Sequence, residues 1–358
     1  MPRLSCLCFG AGAIGTYIGG SLALAGEEVV FVEQPAALGE LRKRGLRLQL
    51  RADGRRQSNE TLILPPETLV FCQTLDEALQ HGPFDAAIYA LKSFDTAAAL
   101  DAMVPFAGRM PPVVCFSNGV ENEAQIAHVL GEAKVIAATV TTSVGRRGPG
   151  DIVLERLRGI GILSTHGISE RLLASANAAR LNARPYGNAA AMKWSKLMTN
   201  LIANPSSAIL DMTAAEVLRH PGLYRLEIGM LRECLAVMRA RGIPVVDLPG
   251  MPVRALALAV QLPEWASKPF LTRAAGTGRG GKMPSFHIDL HSGRGRSEVE
   301  YLHGAVARSG KEWGVPTPIN SFLTETLVAL TRGEIAREEF ARRPGQLLAG
   351  LQARDGAH

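Results

Sequence analysis

A chain of 358 residues with 47% hydrophobic and 20% charged side chains is long enough for two domains with buried cores, and its composition excludes a disordered chain. The net charge of +6 is dispersed: basic runs such as Arg42-Lys43-Arg44 and Arg146-Arg147 are short and lack interleaved aromatics, so no nucleic-acid partner is expected. The five cysteines (Cys6, Cys8, Cys72, Cys115, Cys234) are odd in number and widely spaced, which argues against a disulfide framework and a zinc site, and no metal is expected. No stretch approaches the roughly 20 apolar residues of a membrane span, and no leader precedes the first apolar run, so the protein is expected in the cytoplasm and off the membrane.

That first run, residues 4–9, has strand length and puts Cys6 and Cys8 on one face, where they are expected to pack. It closes on Gly10-Ala11-Gly12-Ala13-Ile14-Gly15. Ile14, Ile18, Leu22 and Ala25 then recur at helical spacing, Gly26 is placed to end the helix, and Val29-Val30-Phe31-Val32 forms a β-branched strand ending at Glu33-Gln34. Strand, glycine turn, helix and strand in this order read as a dinucleotide-binding unit. Gly10 permits the tight turn and Gly12 lets backbone approach a pyrophosphate. Gly15 lets the helix pack close to the sheet, so that its first turn, with Ala13 and Ile14, faces the negative charge. Glu33 lies 18 residues past Gly15. A carboxylate at that strand end accepts hydrogen bonds from ribose hydroxyls and repels a 2′-phosphate, which favours NAD over NADP. Against this stands Arg42-Lys43-Arg44, which could reach a phosphate or could be a solvated helix end.

Residues 46–50 and 61–64 are expected to form a hairpin-like excursion. Apolar strands follow at 86–91, ending on Lys92, at 113–116, ending on Ser117-Asn118-Gly119, and at 135–142. The fold class is therefore α/β, with an N-terminal Rossmann-type doubly wound sheet, mainly parallel and helix-covered on both faces, over residues 1–187. From 188 to 345 helical patterns dominate, at 189–202, 214–218, 223–241, 299–313 and 318–330, around a proline-rich break at 244–252. The C-terminal domain is expected to be all-helical, and residues 346–358 to fray.

Lys196, Asn200 and Asn204 recur at i, i+4 and i+8, and on one helix would line a stripe ~12 Å long. Two amides among Leu201, Ile202 and Ala203 need partners if buried. A lysine on the same stripe is unfavourable in a dry core and useful in a wet cleft. The plain alternative is a polar helix face in water. Lys193 and His291 are assigned to the surface.

Taken together, the marks resemble the ketopantoate reductase (2-dehydropantoate 2-reductase) family. They are Gly-Ala-Gly-Ala-Ile-Gly, Leu91-Lys92, Ser117-Asn118-Gly119, Lys196-x3-Asn200-x3-Asn204-Pro205, Ser285, and Arg294-Gly295-Arg296-Ser297-Glu298-Val299-Glu300, in order over residues 4–330. The resemblance implies a nicotinamide-dependent reduction of a small 2-oxo acid, with 2-dehydropantoate going to (R)-pantoate on the route to pantothenate and coenzyme A. It implies Lys196 as the general acid that protonates the carbonyl oxygen as hydride arrives; a free lysine, with a pKa of about 10.4, would need lowering to cycle well. It implies Glu298 as the carboxylate that orients the substrate hydroxyl, and Asn118 as a residue between nicotinamide and substrate. Asn200 and Asn204 become substrate-contacting amides, Ser285 a hydroxyl near the substrate carboxylate, and Lys92 a cofactor contact. By residue type alone, lesser alternatives remain: Glu298 as a helix-start acid, Ser285 as a cap or turn residue and Lys92 as a solvated strand end.

The chain also departs from the family. Glu33-Gln34 stands where many members carry a basic residue for NADP, and His303 stands where they often have asparagine. Leu210-Asp211-Met212-Thr213-Ala214 lacks the asparagine that binds the far hydroxyl of ketopantoate. Residues 276–282 form a glycine-rich loop whose Arg279 and Lys282 could clamp an anion or lie free on the surface. These departures leave open a reductase of another 2-oxo acid or carbonyl compound. A non-catalytic dinucleotide sensor is the reading from a different class; retention of Lys196 and Glu298 speaks against it. The apolar faces of the helical domain permit a homodimer.

Overall fold

The computed structural model describes residues 3–51, 59–269, 271, 283–293 and 295–355. The loop at 276–282, with Arg279 and Lys282, lies outside the described residues, as does Arg294. The chain divides into two compact units, Met1–Lys193 with Leu248–Met251, and Trp194–Asp247 with Pro252–His358.

In the first unit the elements run β1 (Ser5–Phe9), α1 (Ala13–Leu24), β2 (Glu28–Val32), α2 (Pro35–Arg44), β3 (Leu46–Leu50), β4 (Glu60–Leu64), β5 (Val70–Cys72), α3 (Leu75–Leu79), β6 (Ala86–Tyr89) and α4 (Thr96–Met103). They continue with β7 (Val113–Cys115), α5 (Asn122–Leu130), β8 (Val135–Val140), β9 (Ser143–Gly148), β10 (Asp151–Arg156), β11 (Ile160–Leu163), α6 (Ser169–Ala178) and β12 (Ala183–Tyr186). An eight-stranded sheet has the order β12-β11-β8-β7-β6-β1-β2-β5, parallel except where β11 meets β8. Its central strands are buried on both faces, which is why they read as unbroken apolar runs. Cys6 and Cys8 face one core, with Phe31, Ile88 and Val114, while Leu7 and Phe9 face the other, with Ala87, Tyr89 and Cys115.

The expected hairpin is present as β3 and β4, paired antiparallel from Leu46↔Leu64 to Leu50↔Glu60. It belongs to a second sheet, β4-β3-β10-β9, whose strands β9 and β10 periodicity did not reveal. Mixed exposure explains the miss: Arg146 and Arg147 of β9 are exposed and no residue of that strand is fully buried. This small sheet packs against α1, where Leu46 and Leu48 of β3 approach Gly20.

The second unit is helical. It comprises α7 (Ala189–Leu201, whose first five residues belong to the first unit), α8 (Asn204–Leu210), α9 (Ala214–Arg219), α10 (Pro221–Ala240) and α11 (Val253–Gln261). After these come α12 (Ser285–His291), α13 (Val299–Glu312), α14 (Pro318–Arg332) and α15 (Pro344–Asp355). The buried stripe of α10, with Leu223, Met230, Leu231, Cys234 and Met238, forms its core with Leu302 and Val306 of α13 and Leu323 and Leu327 of α14. One expectation is corrected here: residues 346–355 are helical rather than frayed. Leu347 is fully buried, Gly350 lies against the Phe322 ring, and Arg354 makes a two-pronged ion pair with Glu325, so the tail has a docking face. No helix among the described residues is long and apolar enough to cross a membrane.

Candidate active site

The glycine turn joins β1 to α1 as the motif requires. Gly10 has φ 83°, a conformation open to glycine, and a Cβ on Gly15 would stand 2.0 Å from the Gly10 carbonyl oxygen, so no other residue lets α1 come this close. A Cβ on Gly12 would meet no described atom within 4 Å; the space beside this backbone is open, as a pyrophosphate needs. Ala13 and Ile14 open the helix. Glu33 follows the last residue of β2 and turns back, its Oε2 accepting the Ala11 N–H at 2.6 Å and its Oε1 the Gln34 N–H at 2.8 Å. A cavity of about 480 Å³ opens here, lined by Gly10, Glu33, Gln34, Thr74, Leu91 and Phe106 among others. Volume, apolar walls and a single strand-end carboxylate fit the adenosine half of a dinucleotide.

The basic cluster at the end of α2 has other partners. Arg44 binds the Pro149 carbonyl and Asp151, and Arg42 donates to the Phe71 carbonyl at 3.0 Å and pairs with Glu77 at 3.7 Å.

At the carboxyl ends of β6 and β7 the Lys92 and Asn118 segments are knitted together. Ser117 Oγ donates to the Leu91 carbonyl at 2.8 Å. Ser93 Oγ and Asn122 Nδ2 both donate to the Asn118 carbonyl, at 2.7 and 2.6 Å, and Thr96 Oγ1 holds the Asn122 amide oxygen at 2.8 Å. Asn122 is 1% exposed and was not singled out by the sequence; an amide four residues past Asn118, just where a helix begins, is its one signal.

Lys193, expected at the surface, is instead 5% exposed. Its Nζ donates to the Ser117 carbonyl at 2.7 Å and the Ala138 carbonyl at 3.3 Å, and pairs with Glu123 at 2.7 Å. Burial pushes the ammonium's pKa down, but the facing Glu123 carboxylate, with Cys115 adding to it, outweighs burial and holds the group above its usual value. Lys193 stays charged because strand-end carbonyls and a carboxylate replace water around it. His291 is exposed, as expected, and its ring stacks on His287 at 4.0 Å.

In the second unit the expected single stripe is broken. α7 stops at Leu201, Ala203 is left-handed at φ 51°, and Asn204 starts α8. Pro205 is the cause, since it has no N–H to give the Leu201 carbonyl and a continued helix would lose that bond. The buried Glu227 of α10 secures the break, accepting the Ala203 N–H at 2.7 Å and the Ser206 hydroxyl at 2.5 Å. Sequence reasoning passed over Glu227, although it occupies an apolar-face position of α10 between Leu223 and Met230.

The three polar residues are nonetheless joined across the break. Lys196 Nζ donates to Asn200 Oδ1 at 2.9 Å, Asn204 Nδ2 donates to the Asn200 carbonyl at 3.1 Å and to Ser285 Oγ at 3.3 Å, and the Phe286 N–H donates to Asn204 Oδ1 at 3.1 Å. Lysine, two amides and a hydroxyl therefore form one hydrogen-bonded line. Ser285 is the first residue of α12 rather than its cap. Glu298 is the N-cap residue of α13 and 2% exposed; it stands at a helix start, where a carboxylate meets the positive end of the dipole, but its side chain makes no capping bond.

His303 of α13 lies behind this line, its ring edge-on to Phe286 with centroids 6.0 Å apart. Asn320 Nδ2 donates to the Met230 carbonyl and to Glu233, so Asn320 Oδ1 is the acceptor for His303 Nδ1–H at 3.0 Å. The other nitrogen, Nε2, has no partner among the described residues. Full burial holds the imidazole neutral, its pKa pushed down to about 3 from 6.5, against a weaker upward pull from Asn320. The unfolded chain therefore binds a proton below pH 6.5 that the folded chain refuses, and stability falls as pH drops from 6.5 towards 3. At pH 5 this costs about 2 kcal/mol. Unfolding measured at pH 7 and pH 5 is expected to show that loss in the wild type and a flatter profile in His303→Asn; equal pH dependence in the two would contradict it.

Fold and side chains together define a class, the oxidoreductases that hold NAD(P) in a Rossmann-type unit and reduce a 2-oxo acid. The model of the ketopantoate reductase family PanE/ApbA matches residues 7–164, and that of its C-terminal domain matches residues 188–331. The chain is 26% identical over 330 residues to the 2-dehydropantoate 2-reductase of Archaeoglobus fulgidus, covering 90% of this chain and 95% of that one, and 24% identical to that of Pyrococcus horikoshii, covering 88% and 93%. Among solved structures, a PanE/ApbA family ketopantoate reductase from Ralstonia eutropha aligns with a TM-score of 0.75 at 26% identity over 92% of this chain and 99% of that one. D-mandelate dehydrogenase, solved with NADH and anilino(oxo)acetate, shares the fold with a TM-score of 0.70 at 21% identity over 92% and 99%. With both its units matched, the chain belongs to the ketopantoate reductase family.

Proposed function

We propose that this protein reduces 2-dehydropantoate to (R)-pantoate, with NADH as the preferred reductant. The observation that carries the reading is the line from Lys196 through Asn200 and Asn204 to Ser285, which presents an ammonium donor, amides and a hydroxyl together. The bound nicotinamide supplies the hydride. The chain's residues do the rest. The glycine turn and the first turn of α1 bind the pyrophosphate, Glu33 accepts the ribose hydroxyls, and Lys92 and Asn118 flank the nicotinamide end. Lys196 gives its proton to the carbonyl oxygen as negative charge develops there, with Asn200 fixing the direction of the ammonium. Ser285 and Asn204 bind the substrate carboxylate, and Glu298 accepts the substrate hydroxyl.

Three features support NADH. Glu33 stands in the cavity wall, no lysine or arginine is among the described residues lining that cavity, and Arg42 and Arg44 are engaged elsewhere. Glu33→Ala is expected to weaken NADH binding about 10- to 100-fold, the worth of a charge-assisted hydrogen bond, while NADPH binding holds or improves. An unchanged NADH affinity would mean that Glu33 does not touch the ribose. The five cysteines, all buried free thiols, suit the reducing cytoplasm.

One observation favours a second substrate reading. Asp211, in the segment that lacks the family's asparagine, has its carboxylate 2.9 Å from His287 Nε2 and largely exposed, so a 2-oxo acid without a far hydroxyl fits this chain too. Steady-state kinetics on 2-dehydropantoate and on its 4-deoxy analogue separate the two. A several-fold higher kcat/KM for 2-dehydropantoate supports the first reading; equal or reversed values support the second.

A further inference from the structure

We infer that the turn between β9 and β10 is a working part of the dinucleotide site and that Arg44 is its latch, a positioning residue and not a phosphate ligand. The inference rests on the glycine turn as cofactor site and goes beyond it.

Ala11, the middle residue of that turn, is fully buried and tied at both backbone groups. Its N–H goes to Glu33, and its carbonyl accepts the Gly150 N–H at 3.0 Å. A trans peptide points its C=O and the following N–H in opposite directions. Fixing the Ala11 carbonyl on Gly150 therefore aims the Gly12 N–H the other way, and this N–H precedes the first turn of α1, which has the open space beside it. The direction of one phosphate-facing donor is thus set from the small sheet, by a residue more than a hundred positions away.

Gly150 is itself held. Its φ is +65°, and a Cβ would fall 2.5 Å from Leu41 Cδ2, so the turn is pressed against the end of α2. Its carbonyl accepts the Arg47 N–H at 2.8 Å. On either side of it Arg44 takes hold with both prongs, Nη2 donating to the Pro149 carbonyl at 2.5 Å and Nη1 to Asp151 Oδ2 at 3.2 Å. The planar fork suits two acceptors two positions apart, on residues that flank Gly150, which a lysine could not engage together. The basic cluster near the second strand thus works on the pyrophosphate turn through Gly150.

Dinucleotide binding to the full-length protein, followed by NADH and NADPH fluorescence titration at 20 °C, tests this, with melting temperatures measured alongside. Arg44→Ala is expected to raise Kd for both dinucleotides by about the same factor, roughly tenfold, leaving their ratio as in the wild type. Arg44→Lys keeps the charge and loses the fork, and should show most of the same loss; it also serves if Arg44→Ala does not fold. A loss confined to NADPH, or full rescue by lysine, would make Arg44 a phosphate ligand and overturn the latch. A lower melting temperature with both Kd values unchanged would overturn it as well, leaving a purely structural contact. If the wild type binds neither dinucleotide, it is the cofactor reading that fails, so the two failures are told apart.

Discussion

Lys196→Ala is expected to lower kcat by about 10²- to 10⁴-fold while leaving the Kd for NADH near its wild-type value, if Lys196 is the general acid as proposed. Hydride addition to a carbonyl leaves negative charge on oxygen, and a donor in place discharges it within the same step. Lys196 Nζ already points along a hydrogen bond to Asn200, so alanine removes the donor without moving the helix that carries it. Because the cofactor turn belongs to the first unit and Lys196 to the second, affinity for NADH reports on one and turnover on the other. Single-turnover kinetics at saturating NADH makes the comparison. Turnover within a few-fold of wild type would remove Lys196 from the chemistry.

The second large effect concerns stability. Lys193→Met is expected to cost about 3–5 kcal/mol, because it leaves Glu123 and the Ser117 carbonyl facing an apolar side chain instead of an ammonium. Methionine keeps the length and loses the charge, so the cost is electrostatic and not a cavity. Pairing it with Glu123→Leu removes both charges and should restore most of the loss, as apolar replacements of whole buried pairs do. Denaturant unfolding of the wild type, the single and the double variant gives the coupling directly. A single variant within 1 kcal/mol of wild type, or a double variant no better than the single, would contradict the account.

Both effects bear on what the sequence made legible. Local chemistry with a short reach was readable: the glycine turn, the strand end at Glu33 and the apolar strands were written in consecutive residues, and they lie where spacing put them. The Lys196 line was readable as chemistry but not as geometry. Spacing alone ran one helix through Asn204, whereas Pro205 ends it and a left-handed Ala203, held by Glu227, turns the chain. What was missed depends on partners far apart in sequence. Lys193 shares a register with Leu197 and Leu201, and Glu227 with Leu223 and Met230, so each is a charge on an apolar stripe. That pattern flags a buried charge, but it does not say which carboxylate, carbonyl or amide will meet it. The second sheet was hidden for a related reason, since β9 (Ser-Val-Gly-Arg-Arg-Gly) has no apolar alternation and borrows its order from β10.

The central claim is that this chain consumes a reduced nicotinamide with a 2-oxo acid. Purified wild-type protein with NADH, then with NADPH, and a panel of 2-oxo acids that includes 2-dehydropantoate tests it most directly through loss of absorbance at the nicotinamide band. The account predicts steady loss with at least one acid, faster with NADH than with NADPH, and a 2-hydroxy acid formed in equal amount. Tight binding of the dinucleotide with no turnover on any acid would contradict it and would leave a dinucleotide sensor in its place.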